Sequence, residues 1–96
     1  MQISDFPMVD VLKIKGLDGY RVWLRFTDGQ EGIWDMRAMV EEGGPMLEPL
    51  RDMTFFKRVF VEYGAPTWPN GFDVDAANLY ARLRDAGLLA SSVAAE

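Results

Sequence analysis

One stretch limits the fold more than any other: YRVWLRFTDGQEGIWD, residues 20–35. Tyr20, Val22, Leu24 and Phe26 alternate with Arg21, Trp23 and Arg25, the period of a strand with one apolar face. Asp28-Gly29 follows at once and signals a hairpin, because both residues tolerate the positive φ of a tight reversal. QEGIWD then returns as the next strand. With Asp28 and Gly29 as the two turn residues, Thr27 faces Gln30, Arg25 faces Gly32, Leu24 faces Ile33 and Trp23 faces Trp34. This register puts Leu24 and Ile33 on the core face. It puts Trp23 and Trp34 on the opposite face, between Arg21 and Arg25. A slip of one residue reverses these assignments.

The flanking segments supply the rest of a small fold. VDVLKIK (residues 9–15) reads as a strand and residues 16–19 as a turn. Asp35 is placed to N-cap a short helix over residues 36–40, which EEGGP ends. Asp52 is placed to cap another helical turn at 54–56. KRVFVEY (57–63) predicts a strand with Val59 and Val61 on one side and Arg58, Phe60 and Glu62 on the other. Gly64 turns the chain into a fifth strand, 65–68, which Pro66 confines to an edge. A helix follows from Ala76 to about Ala86, with Ala76, Leu79, Tyr80 and Leu83 on its apolar face. Gly87 sits where a C′ glycine belongs. The prediction is a single α+β domain over 9–87: an antiparallel sheet of about four to five strands, a C-terminal helix on one face, and one or two short helices in the connections. Residues 1–8 form a loose lead-in and residues 88–96 a frayed tail.

TWPNGFDVD, residues 67–75, concentrates turn formers and oxygen donors. Pro69 presets φ, and Asn70-Gly71 accommodates φ > 0, so the tripeptide is a turn. Asp75 precedes AANLYARLRDAG and can accept the orphan N–H groups of its first turn. Asn70, Asp73 and Asp75 also suggest a calcium loop. Their spacing lacks the alternating acids, the sixth-position glycine and the twelfth-position glutamate of an EF-hand. The structural reading is preferred and no metal is expected.

Composition narrows the chemistry. The 96 residues hold 15 acids and 10 basic residues, a net charge of −5, with neither histidine nor cysteine. Triads, Cys-His dyads, zinc sites and disulfides are therefore excluded. The three lysines, Lys13, Lys15 and Lys57, fall in predicted strands with polar neighbours. No Gly-rich phosphate loop is present. A paired-carboxylate enzyme or ligand-binding module stays formally open, but nothing in the sequence sets two acids in a cleft. The expectation is a non-enzyme without cofactors. The acidic balance disfavours direct nucleic-acid contact and suits a basic protein partner. The first ten residues lack the basic and apolar regions of a signal peptide, and no run is long enough for a membrane span. A cytoplasmic protein is expected.

The order of signals resembles that of a family of short bacterial proteins catalogued as domain of unknown function 2442. The matching residues are Phe26-Thr27-Asp28-Gly29, Trp34-Asp35, Pro49-Leu50-Arg51-Asp52 with Phe55 or Phe56, Val59-Phe60-Val61, Trp68-Pro69-Asn70-Gly71 with Asp73, and Leu79-Tyr80. The resemblance implies a small α+β domain with an antiparallel sheet. It also implies a setting like a toxin–antitoxin pair, beside another small protein. It brings no catalytic residues. Some members carry a helix-turn-helix, which the stretch after Gly87 is too short to form.

A docking face is then sought on the predicted sheet. Arg21, Trp23, Arg25, Trp34, Arg58 and Phe60 are the candidates, because aromatics and arginine are enriched in interface hot spots. Either a partner covers this face, or the lead-in (Ile3, Phe6, Met8) or the MLEPL segment does. The partner would be a small basic toxin-like protein or, in a homodimer, a second copy. The function expected is that of an acidic, antitoxin-like interaction domain. The rivals are an acidic mimic of nucleic-acid charge and the carboxylate-based enzyme or binding module.

Overall fold

The computed structural model describes residues 8–91. The fold is α+β, with six strands among the described residues. They are β1 (Val11–Leu17), β2 (Arg21–Phe26), β3 (Gln30–Asp35), β4 (Phe60–Glu62), β5 (Ala65–Thr67) and β6 (Ala90–Ser91). Helices α1 (Arg37–Glu42) and α2 (Met53–Phe56) lie in the connection from β3 to β4, on either side of a 3₁₀ turn, Glu48–Arg51. Helix α3 (Ala76–Asp85) follows β5. The strands form two antiparallel sheets: four strands in the order β1-β2-β3-β6, and the pair β4-β5. No helix among the described residues is long and apolar enough to cross a membrane.

The hairpin forms where Asp28-Gly29 places it, but its register differs by one residue from the expected one. Val22 faces Trp34, Trp23 faces Ile33 and Arg25 faces Glu31. The loop has three residues, Thr27 to Gly29, closed by the Gly29 N–H on the Phe26 carbonyl at 3.0 Å. Asp28 Oδ1 accepts the Gln30 N–H at 3.0 Å, and Gly29 takes φ +90°. This is the turn-plus-bulge form of the hairpin loop. Its cause is legible in β3. Glu31, Ile33 and Asp35 share one face and Gly32 and Trp34 the other. The two-residue loop would have turned both carboxylates toward the core, at a desolvation cost of several kcal/mol each in order-of-magnitude terms. The longer loop turns them outward and carries Trp34 in.

The core lies between one face of the large sheet and the helices. Val22, Leu24, Phe26, Leu50, Phe56 and Trp68 have no solvent exposure, and Met36, Val40, Leu79 and Leu83 have almost none. Ala76, Leu79 and Leu83 of α3 are buried, as the periodicity predicts, and Tyr80 stacks edge-on to Phe26 at 5.0 Å. Asp75 caps α3 by accepting the Asn78 N–H at 2.9 Å. At the other end Gly87 (φ +73°) allows the Leu88 N–H to reach the Leu83 carbonyl and its own N–H to reach Arg84, a Schellman closure.

Some boundaries move and one holds. Asp35 lies one residue before the α1 cap, Met36, and accepts the Arg37 N–H instead. Asp52 does cap α2, through Thr54. Lys57 and Arg58 continue its last turn through bonds to Met53 and Phe55, so β4 begins only at Phe60. Ala90–Ser91, within the stretch expected to fray, pairs with Gln30 and Glu31. Residues 1–7 of the expected lead-in and the end of the tail, 92–96, lie outside the described residues.

Candidate functional site

Trp68-Pro69-Asn70-Gly71 repeats the construction of the first hairpin loop. The Gly71 N–H bonds the Trp68 carbonyl at 2.9 Å, Asn70 Oδ1 accepts the Phe72 N–H, and Gly71 takes φ +92°. Asn70 also donates to the Met46 carbonyl at 3.0 Å, and Trp68 Nε1 donates to the Phe56 carbonyl at 2.8 Å inside the core. Asn70 and Asp75 are thus each engaged in local backbone bonds. No group of three or more acids that could hold a metal gathers among the described residues.

The candidate docking residues do not share one face. Trp34 is 8% exposed and belongs to the core, which corrects its assignment as a surface anchor. Phe60 belongs to the β4-β5 hairpin and Arg58 to the last turn of α2, where it packs over Phe55 at 5.9 Å, so neither is in the large sheet. Arg21, Trp23 and Arg25 do lie together on that open face. β1 and β3 complete it with residues that sequence reasoning left out. Cross-strand register gives three rows: Lys13, Arg25 and Glu31; Lys15, Trp23 and Ile33; Leu17, Arg21 and Asp35. Opposite residues in antiparallel strands point the same way, so the nine side chains form one surface. Leu17, Trp23 and Ile33 stand outside the core cluster, and Ile33 is 42% exposed.

Trp23 is held in place. Its indole N–H donates to Glu31 Oε1 at 3.4 Å, and the Arg25 guanidinium sits 5.8 Å from its ring centre. Arg25 makes two bonds to Glu31 Oε2, at 3.0 and 2.7 Å. Among the described residues neither Lys13 nor Lys15 is in an ion pair. Lys13 faces Arg25 directly, a like-charge pairing that weakens a sheet. Ile33, Leu88, Ala90 and the Trp23 edge line an open groove along the β3 side. Among the described residues this face holds four of the ten basic residues but two of the thirteen acids, so the acidity of those residues lies on the remaining surface.

One exposed aromatic went unpredicted. Tyr63 is 97% exposed at the tip of the β4-β5 hairpin, at φ +52° beside Gly64 at φ +76°. With Met8, Asp10 and Asp75 it borders a separate open groove. Asp18 and Tyr80 are perturbed titratable groups. Lys57 Nζ lies 2.6 Å from Asp18 and holds that carboxyl below its usual range. Asp28 accepts the Tyr80 hydroxyl proton at 2.6 Å and raises that phenol's pKa. Both are ties between elements: the first joins the β1–β2 turn to the end of α2, the second the hairpin loop to α3.

The fold and site define a small α+β domain with one sheet face covered by the core and, among the described residues, no strand or helix packed over the other. Residues 11–85 match the family described as "Protein of unknown function (DUF2442)", and the chain belongs to that family. No curated protein matches it. It is similar in fold to a crystal structure from Nitrosomonas europaea described as a "putative DNA binding protein", with 22% identity and a TM-score of 0.64. The likeness covers 85% of this chain and 54% of that one, so this chain spans about half of that protein's length.

Proposed function

We propose that this is a non-catalytic protein-interaction domain that docks a partner through the β1-β2-β3 face, with Trp23 as anchor. The observation that carries the reading is the half-exposed Trp23 ring among Lys13, Lys15, Arg21 and Arg25, with Ile33 and Leu17 beside it. Folding alone does not account for this set. The two lysines lack ion pairs among the described residues, and one opposes an arginine across the strands. Glu31 and Asp35 give the β3 side the opposite sign, and a mixed-sign surface suits a protein better than a uniform polyanion. The partner is a second copy or a small basic protein; the acid remainder of the surface steers the latter, in keeping with the antitoxin-like setting that the resemblance implies.

A nucleic-acid reading has one observation in its favour, the cations around a half-buried aromatic on a sheet. The similar structure's description points the same way. The net charge of −5 and the carboxylates Glu31 and Asp35 on the β3 side of the face oppose it. Capture from native-host extract, with wild type and Trp23→Ala matched by circular dichroism, tests the proposal. Wild type retains a protein partner and Trp23→Ala loses it. Equal capture by both contradicts the reading, as does tight, salt-sensitive binding of a single-stranded oligonucleotide with no protein retained.

A further inference from the structure

Resting on that reading of the face, the geometry points to its occupant: we propose that a second copy of this chain covers it, face to face, about a two-fold axis parallel to the strands. The register sets the charges in strips. β1 presents Lys13 and Lys15, β2 presents Arg21, Trp23 and Arg25, and β3 presents Glu31, Ile33 and Asp35. Rotation about an axis along β2 lays the β1 strip of each copy over the β3 strip of the other.

Lys13 then meets Glu31 of the second copy, and Lys15 lies over Ile33 between Glu31 and Asp35. The two Trp23 rings meet on the axis. Each off-axis interaction occurs twice, as a two-fold interface requires. On the axis Arg25 faces Arg25 and Arg21 faces Arg21. Each has an acid beside it in its own sheet: Glu31 bound to Arg25 at 2.7 Å, and Asp35 paired across the strands with Arg21.

The competing two-fold runs across the strands, and it fails on charge. It sets Lys15 against Lys15, Arg25 against Arg21 and Glu31 against Asp35. Both arrangements keep the strand directions aligned, the ordinary geometry for stacked sheets, so charge decides between them. Three strands by three rows make a small interface, below about 1,200 Å² in total, and such contacts are weak. Self-association in the micromolar range, sensitive to salt, is therefore expected.

The strip pattern supplies the test. Sedimentation velocity at low ionic strength, from about 10 μM to about 1 mM, follows wild type, Lys13→Glu, Glu31→Lys and an equimolar mixture of the two variants. Each variant alone sets like charge against like charge, and its dimer weakens at least about tenfold. In the mixture the carboxylate introduced on β1 of one variant meets the ammonium introduced on β3 of the other. The native Lys13–Glu31 pair survives at the opposite end, so the mixture regains the dimer. Lys15→Glu weakens the dimer while leaving the Glu31–Arg25–Trp23 cluster untouched, which covers the case in which Glu31→Lys unfolds the chain. A monomeric wild type throughout the range overturns the proposal, as does a dimer indifferent to these changes. If the wild type is monomeric and Trp23→Ala still loses a captured protein, the second copy is refuted and the docking face stands. If Trp23→Ala loses nothing either, both readings fall together.

Discussion

Replacing Trp34 and Trp23 in turn with alanine separates the observed hairpin register from its one-residue alternative. Trp34 is 8% exposed, opposite Val22 in the core, so nearly its whole side chain leaves water on folding. A tryptophan buries on the order of 200 Å², about 5 kcal/mol at about 25 cal/mol per Å² as an upper figure. Truncation also leaves a cavity, and Trp→Ala in a core costs about 3–5 kcal/mol. Trp23 is half-buried, held by one long bond to Glu31 and by Arg25, and leaves no enclosed space when removed. Its loss costs about 1 kcal/mol. Each kcal/mol lowers Tm by about 4–8 °C in a domain of this size. Urea unfolding of the two variants, followed by circular dichroism, gives the comparison. Equal losses, or a larger loss for Trp23→Ala, would refute the register and the face built on it.

Three further outcomes follow from the packing. Gly32→Ala places a methyl carbon 2.9 Å from the Leu88 carbonyl oxygen, so the segment entering β6 must shift; the unfolding midpoint falls by an amount equivalent to about 1–3 kcal/mol. Tyr80→Phe removes the bond to Asp28 and costs about 1 kcal/mol near neutral pH. Because the folded phenol's pKa is raised, its contribution is complete below the unfolded value of about 10 and disappears as pH climbs through the folded value; a stability profile of wild type against Tyr80→Phe should converge at high pH. Asp18 titrates below its ordinary range beside Lys57, and Lys57→Ala returns it upward, as an NMR titration of the side-chain carboxyl will show.

The extent to which the chain could be read in advance is set by how local each determinant is. Asp28-Gly29, Asn70-Gly71, Asp52, Asp75 and Gly87 act through bonds within a few residues, and each performs the turn or cap its type implies. Loop length at Asp28-Gly29 is different, because a two-residue and a three-residue reversal use the same dipeptide. The deciding signal was in β3: Glu31 and Asp35 share a face with Ile33, and burying both acids is costlier than exposing one isoleucine. Lys13 and Lys15 entered the face only through the pairing of β1 with β2, a long-range relation. Ala90–Ser91 carries no strand signal of its own and is recruited by the edge of β3. Tyr63 sits in a left-handed tip where its type gives no hint of a turn.

The most direct measurement of the docking claim is chemical-shift mapping of the isotopically labelled domain as its captured partner, or unlabelled domain, is titrated in. Shifts concentrated at Lys13, Lys15, Trp23 and Ile33, with the Trp23 indole N–H among the largest, are the predicted result. Shifts gathered at the Tyr63 tip and its groove, with the indole unmoved, would contradict it.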